Sequence, residues 1–361
     1  MTSPRHDPTR RAPVRGLLGV LLALALSLAM LTGCELRRET PPPTEPVPDA
    51  IELARREAVA DADLLIADAR DAAAGDPAAV LLEAVALASE AHDHALGGVY
   101  VPFPDASPSD DAAAGQATTG EPETDVAPSD GASAGTTASP TPSPGPTTPP
   151  TAADVVELAT AAALRARTAA EAIEDGPLAR LLASIAVSRS MHARTIATAA
   201  GLPVTSTALT VPADLPAGLG GSAISALVQS EDGLGLAWEV VAARSDGPAR
   251  SSAAARAAMH RTAGQAWATA GGLAGTGLDP RRVAYDLPDA ILDPATDPGA
   301  VTAALATLES GLAQDYATLV AAAAPGVRGS LIDGLADAAT VALGLTGLVP
   351  AFPGLPEQTG G

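Results

Sequence analysis

The apolar residues of this chain are nearly all small and aliphatic. Hydrophobic residues make up 47% of the 361 positions, yet only 2% are aromatic, and most of the remainder are alanine, leucine and valine. Alanine and leucine are among the strongest helix formers, whereas strands are enriched in aromatic and β-branched residues. The composition therefore predicts an all-α protein made of closely packed helices.

The charge of the chain restricts its partners. The formal net charge is −21 at pH 7, and arginine supplies every basic side chain apart from histidine. A surface this negative repels the phosphates of nucleic acids and anionic lipid headgroups. We therefore expect no nucleic-acid partner.

The amino terminus has the composition of an export signal. Four arginines, the last at Arg15, precede an apolar run from Leu17 to Leu31. This run is shorter than the roughly 20 residues that a helix needs to span a bilayer. We interpret residues 1–33 as a signal peptide that is removed from the mature protein.

The signal peptide is followed by Cys34, the only cysteine of the chain. The three residues before it are Leu31, Thr32 and Gly33. This sequence resembles the lipobox of bacterial lipoproteins, and the resemblance implies that the Cys34 sulfur carries a diacylglycerol. The alternative is cleavage at another position, which would leave a free thiol in an oxidising compartment, where unpaired cysteines are unusual. We expect a lipid-anchored protein on the extracytoplasmic face of the cell membrane.

Proline and glycine divide the rest of the amino-terminal half. We expect residues 34–49 to form a lipidated, Pro-rich spacer and residues 50–98 to form a helical hairpin. Residues 101–152 are acidic and rich in Ser, Thr, Pro and Gly, without a periodic apolar pattern, and we expect them to be disordered. Residues 153–200 are predicted to form a second helical hairpin.

Residues 220–357 have the clearest helical pattern. Two helical pairs, each joined by a short break, are separated by a Gly- and Pro-rich stretch from Gly271 to Asp297. A short break makes two helices antiparallel neighbours. Two hairpins joined by one long crossover is the connectivity of a ferritin-like four-helix bundle, and this is the fold that we expect.

The same region resembles an actinobacterial ferritin-like domain of unknown function that is often found in exported proteins. The resemblance rests on the Glu231 helix, the Arg256–Arg261 stretch around His260, Ala284–Pro288, Leu308-Glu309 with Tyr316, and the tail Phe352–Glu357. It implies a fold, but that family has no assigned activity.

The sequence lacks the ligand motif of a di-iron bundle. Such bundles take one Glu from each of two helices and a Glu-x-x-His from each of the other two. The residues three positions before the histidines of the mature chain are Ser89, Ala91, Arg189 and Ala257. We therefore expect no standard di-iron site and no cofactor.

Four polar side chains nevertheless fall among apolar positions on the inner faces of the predicted bundle. They are Glu231, His260, Glu309 and Asp315. We expect them to converge on one cavity. One interpretation is a degenerate metal site or a small-ligand pocket, and the other is a satisfied polar cluster in which Glu231 pairs with His260 or an arginine.

Two functions from different classes remain. The sequence contains no nucleophile elbow, phosphate loop or dinucleotide fingerprint. One function is a non-catalytic envelope lipoprotein whose helical bundle binds a protein or cell-wall partner. The alternative is a ferritin-like metal-binding or oxidase protein with a degenerate carboxylate and histidine site.

Overall fold

The computed structural model describes four ranges of the chain, which are residues 45–101, 149–204, 211–293 and 297–358. Regular structure within these ranges is helical, without a strand, which confirms the predicted all-α class. The predicted signal peptide, the lipobox with Cys34 and most of the acidic segment 101–152 lie outside the described residues.

Four long helices make up the amino-terminal half of the described chain. They are α1 (Ala50–Ala73), α2 (Ala79–Leu96), α3 (Ala152–Ala172) and α4 (Gly176–Ala199). Helices α1 and α2 pack as one hairpin and α3 and α4 as another, and α1 also contacts α3. The two predicted hairpins are therefore present and lie against each other.

Two further hairpins follow. They consist of α5 (Gly221–Arg244) with α6 (Gly247–Ala270), and α8 (Pro298–Ala322) with α9 (Gly329–Thr346). The crossover between them contains one short helix, α7 (Asp289–Leu292). The predicted connectivity of two hairpins and one long crossover is confirmed. No helix within the four ranges is both long enough and apolar enough to cross a bilayer.

Aspartate, threonine and proline define several helix starts. The side chain of Asp49 accepts a hydrogen bond from the Glu52 amide, and Thr151 forms a capping box with Asp154. Asp175 caps α4, which has proline in its first turn. These residues satisfy amide groups that the first turn of a helix leaves without partners. Proline in the first turn also marks the starts of the helices at Gly247 and Pro298.

Helix α4 lies at the centre of a shared core. It packs against α2, α3, α8 and α9. Fourteen of its residues are buried, and they lie on all sides of the helix. A helix that is buried on all sides is surrounded by neighbouring helices. Buried residues from both amino-terminal hairpins and from the later helices therefore share one core cluster, beside which two smaller apolar clusters lie.

The carboxyl-terminal tail attaches to this core through its backbone. Ser184 Oγ on α4 donates to the Pro353 carbonyl at 2.8 Å, and the imidazole Nε2 of His92 on α2 lies 2.7 Å from the Ala351 carbonyl. The Phe352 ring is buried and meets the His92 ring edge-on, with 5.2 Å between centroids. The tail thus fastens α2 and α4 to the later helices.

Candidate functional site

Three of the predicted site residues are buried at the centre of the carboxyl-terminal hairpins. Glu231 on α5 is 1% exposed, His260 on α6 is 2% exposed and Glu309 on α8 is 0% exposed. On α5 the neighbours of Glu231 on the buried face are Leu227, Val228 and Leu234. Spacings of three and four residues place all of these side chains on one face of a helix. The predicted inward orientation of the three side chains is therefore observed.

His260 lies between the two glutamates. Its Nδ1 is 2.7 Å from Glu231 Oε2 and its Nε2 is 3.1 Å from Glu309 Oε1. A carboxylate can only accept hydrogen bonds, so both ring nitrogens must donate. The geometry corresponds to an imidazolium that bridges two carboxylates on different helices.

Arg256 supplies a second cation to the same cluster. Its Nε and Nη2 donate to the two oxygens of Glu309 at 3.1 and 2.9 Å, and its Nη1 donates to Asp337 on α9 at 2.5 Å. The indole Nε1 of Trp238 donates to Glu309 Oε1 at 2.9 Å. Arg256 therefore joins α6, α8 and α9 through charge-assisted hydrogen bonds.

Glu231 has a second partner in Tyr316. The phenol donates to Glu231 Oε1 at 2.5 Å and accepts a hydrogen bond from Trp267 Nε1 at 3.1 Å. The ring of Tyr316 lies directly over Gly334 of α9, where a Cβ atom would overlap it. Glycine at this position gives the ring the space to reach Glu231.

The environment shifts the proton affinities in opposite directions. Burial favours the neutral form of His260, but the hydrogen bonds to Glu231 and Glu309 together outweigh it and raise the pKa of the imidazole. Burial also opposes ionisation of Glu309, yet His260 and Arg256 lower the pKa of that carboxyl. Burial and then Glu231 raise the pKa of the Tyr316 phenol. The cluster thus favours a charged imidazolium, an ionised Glu309 and a neutral phenol.

Asp315 does not join the three other predicted residues. It is half-buried and accepts a hydrogen bond from Ser230 Oγ at 2.6 Å, and burial raises the pKa of its carboxyl. Asp315 follows Glu309 by six positions, a rotation of about 240° around the helix axis, whereas the seventh position, Tyr316, returns to within about 20°. Tyr316 therefore occupies the place in the cluster that the sequence interpretation assigned to Asp315.

Sequence reasoning also missed Arg256 and the two tryptophans as members of the cluster. Arg256 precedes His260 by four positions and Trp238 follows Glu231 by seven, so each lies on the same face as its neighbour. That spacing was the available signal for both residues. Asp337 had no comparable signal, because its role depends on how α9 packs beside α6.

A second polar network connects α5 and α6 to the crossover. Arg261 pairs with Asp232 at 2.5 Å and with Glu239 at 2.8 Å, and the Tyr285 hydroxyl donates to Asp232 at 2.7 Å. Burial and the bond to Asp232 raise the pKa of Tyr285 to about 12. A side chain at Gly233 would crowd the Tyr285 ring. This network positions the crossover and does not reach the His260 cluster.

The carboxylate and imidazole groups of the His260 cluster do not fit the requirements of a di-iron centre. Such a centre requires carboxylates that are free to bind cations and an imidazole nitrogen without a proton. Glu309 is instead held by Arg256, and both nitrogens of His260 face carboxylate oxygens. Over the described part of the chain, no group of three or more His, Cys, Asp or Glu side chains is arranged to hold a metal ion.

Comparison with known proteins identifies one region. No curated protein and no solved structure matches the chain. Residues 223–357 match the model of a family described as a domain of unknown function (DUF4439). The match runs from α5 to the tail and includes the whole His260 cluster, whereas α1 to α4 precede it. The chain therefore contains a DUF4439 domain at residues 223–357.

Proposed function

We propose that this protein is a lipid-anchored lipoprotein of the bacterial cell envelope whose helical body has a non-catalytic binding role. The observation that carries the proposal is the internal pairing of the buried cluster. Glu231, His260 and Glu309 are each bonded to other side chains of the same domain and are almost inaccessible to solvent. Acid–base catalysis requires such groups to reach a substrate, which these do not.

In this proposal the cluster stabilises the fold by linking helices to one another. Removing one member of a buried ion pair is strongly destabilising, because it leaves the other charge buried without compensation. The pairs join α5, α6, α8 and α9 at one point. In the proposed role, this rigid body presents its outer surface to a protein or cell-wall partner.

The anchor part of the proposal rests on the lipobox resemblance around Cys34. Acyl chains contribute about 0.8 kcal/mol per buried methylene, so two or more chains hold a protein stably on a membrane. The proposed orientation is extracytoplasmic, with the Pro-rich spacer between the lipid and Ala50, where the first helix begins. The proposed fold of residues 220–357 is ferritin-like.

Lipidation is tested by comparing wild type with Cys34→Ala, using Arg250→Gln as a control. Membrane fractionation and intact-mass measurement should show wild type and the control in the membrane fraction with the mass of attached acyl chains. Cys34→Ala should lose the lipid mass and the membrane association. If Cys34→Ala still sedimented with membranes and kept the mass of the acyl chains, the proposed lipid anchor would be refuted.

The binding role is tested by chemical cross-linking in intact cells, followed by purification from detergent-solubilised membranes. A partner that is recovered reproducibly with wild type and lost after substitution of exposed residues would support the role. Failure to recover any reproducible partner would count against it.

The alternative function is a ferritin-like metal-binding or oxidase protein with a degenerate site. The observation that favours it is the meeting of two carboxylates and one imidazole from three helices within 3.1 Å. Adding ferrous iron with oxygen should produce absorbance and oxygen uptake if this function is correct. These signals would have to be absent from Glu231→Gln. Equal baseline signals from both proteins would support the non-catalytic role.

A further inference from the structure

A cavity of about 460 Å³ opens between α3, α4 and α9. Its volume falls within the range of roughly 300–1,000 Å³ that is usual for small-molecule sites. Apolar side chains line much of it, including Val156 on α3, Val187 and Met191 on α4, and Ile332 on α9. The cavity is therefore large enough and apolar enough for an aliphatic group.

The charged residues at this cavity differ in their pairing. Arg167 is held by Glu171 at 2.9 Å and by Asp333 at 2.6 Å, and Asp337 is held by Arg256. Arg194 makes a contact of 3.5 Å with the hydroxyl of Thr340. Among the residues that the structure places, no carboxylate lies within ion-pair distance of Arg194.

Within the described ranges, Arg194 shares this lack of an ion pair with Arg244, Arg282 and Arg328, but of these four arginines it is the one that lines the cavity. The sequence contains 42 acidic residues and only 21 basic ones, so a half-buried arginine has an excess of acidic groups with which it could pair. A guanidinium is always charged and binds carboxylates through two parallel hydrogen bonds. Arg194 therefore offers the cavity one uncompensated positive charge suited to an anionic group.

Two exposed apolar side chains extend the lining toward solvent. Leu164 is 64% exposed and Val204 is 44% exposed, and both line the cavity. A ligand with a flexible aliphatic chain would cover these side chains and remove their surface from water. The lining therefore combines one cation with an apolar surface that begins inside and continues outward.

We propose that this cavity binds a small amphipathic monoanion, namely an aliphatic carboxylate whose carboxyl group pairs with Arg194 while its chain lies along α3 and α4. A single cation matches a single negative charge, which favours a carboxylate over a phosphate dianion. The inference goes beyond the binding role described above, because the occupant is a small molecule and the site does not depend on lipidation at Cys34.

The test uses decanoate labelled with carbon-13 at the carboxyl group and the full chain reconstituted in lipid nanodiscs. Carbon-13 NMR distinguishes carboxylate bound to protein from carboxylate in the bilayer, and empty nanodiscs provide the reference. Decylammonium, which has the same chain and the opposite charge, is the matched ligand. Arg194→Gln is compared with Arg250→Gln, an exposed arginine on α6, and Ala336→Leu fills the cavity.

We expect wild type and Arg250→Gln to show a saturable bound resonance with one ligand per chain. Arg194→Gln should weaken decanoate binding at least tenfold, Ala336→Leu should abolish it, and decylammonium should not compete with decanoate. Absence of a saturable resonance in wild type would overturn the proposal. The proposal would also be overturned if decylammonium displaced labelled decanoate as strongly as unlabelled decanoate does. This comparison tests charge recognition without any variant. Circular dichroism establishes that each variant is folded.

Discussion

Replacing Arg256 with methionine should destabilise the protein by about 3–5 kcal/mol, the usual consequence of removing one member of a buried ion pair. Arg256 donates two hydrogen bonds to Glu309, which is fully buried, and one to Asp337. Methionine keeps much of the aliphatic stem, so the change mainly removes charge and donors. Glu309 would retain only His260 and Trp238 as partners.

The loss is measured as the free energy of unfolding from urea denaturation. A change of this size corresponds to a fall of about 6–20 °C in Tm for a helical body of roughly 200 residues. Arg250→Met is the control, because Arg250 is exposed and pairs only with Asp246 at 3.5 Å. It should change stability by less than about 1 kcal/mol.

A double variant separates lost pairing from lost packing. Combining Arg256→Met with Glu309→Gln removes both charges, so most of the lost stability should return. As the pH falls, the free energy of unfolding of Arg256→Met should rise relative to that of wild type, because a buried Glu309 without Arg256 favours its neutral form. A group whose pKa is higher in the folded state than in the unfolded state stabilises the fold below its unfolded pKa. This stabilisation is lost as the pH rises through the folded pKa. A loss below about 1 kcal/mol for Arg256→Met, or no recovery in the double variant, would refute the reasoning.

Three further outcomes follow from the packing. Gly334→Ala should cost about 1–3 kcal/mol, because its Cβ would overlap the Tyr316 ring; an unchanged urea midpoint would contradict this placement. Phe352→Ala should lower the free energy of unfolding by about 3–5 kcal/mol. Leu348→Ala, at an exposed position in the same tail, should change it by less than about 0.5 kcal/mol. Equal losses in the two variants would show that the tail is not docked. Burial, with help from Arg189, lowers the pKa of His92 to about 3, so its stabilising effect is complete above the unfolded pKa and declines as the pH falls. Between pH 7 and pH 5 wild type should lose about 2 kcal/mol more than His92→Gln, and parallel pH profiles would exclude this role.

The hairpins could be predicted from local signals, and their packing could not. Asp175 caps α4, and proline in the first turn marks the starts of both α4 and α6; these signals act within one helical turn. The central position of α4 depends instead on contacts with helices far away in sequence. Arg189 illustrates the difficulty, because it is buried and donates to the Ala58 carbonyl at 2.9 Å. Arginine is rarely buried, so the sequence indicates a surface position.

The sequence predicts those members of the candidate site that can be recognised from the pattern of a single helix face. Glu231 and His260 stand out because each interrupts an apolar stripe with helical spacing. Asp315 was misassigned because the buried face of α8 is wide, and the buried Leu312 and Leu319 lie three and four positions away from it. The spacing from His260 indicates the helix face that Arg256 shares, but its pairing could not be inferred from that helix, because its partners Glu309 and Asp337 belong to α8 and α9.

The protonation state of His260 tests the central claim of this account most directly. Nitrogen-15 NMR of the four histidine side chains of the mature chain, with His260→Gln for assignment, reports whether each ring nitrogen carries a proton. Because Glu231 and Glu309 raise the pKa of His260, both of its nitrogens should be protonated at pH 6.5 in most molecules. A neutral His260 ring at that pH, with one nitrogen unprotonated and available to a metal, would contradict a cluster whose charges are compensated from within.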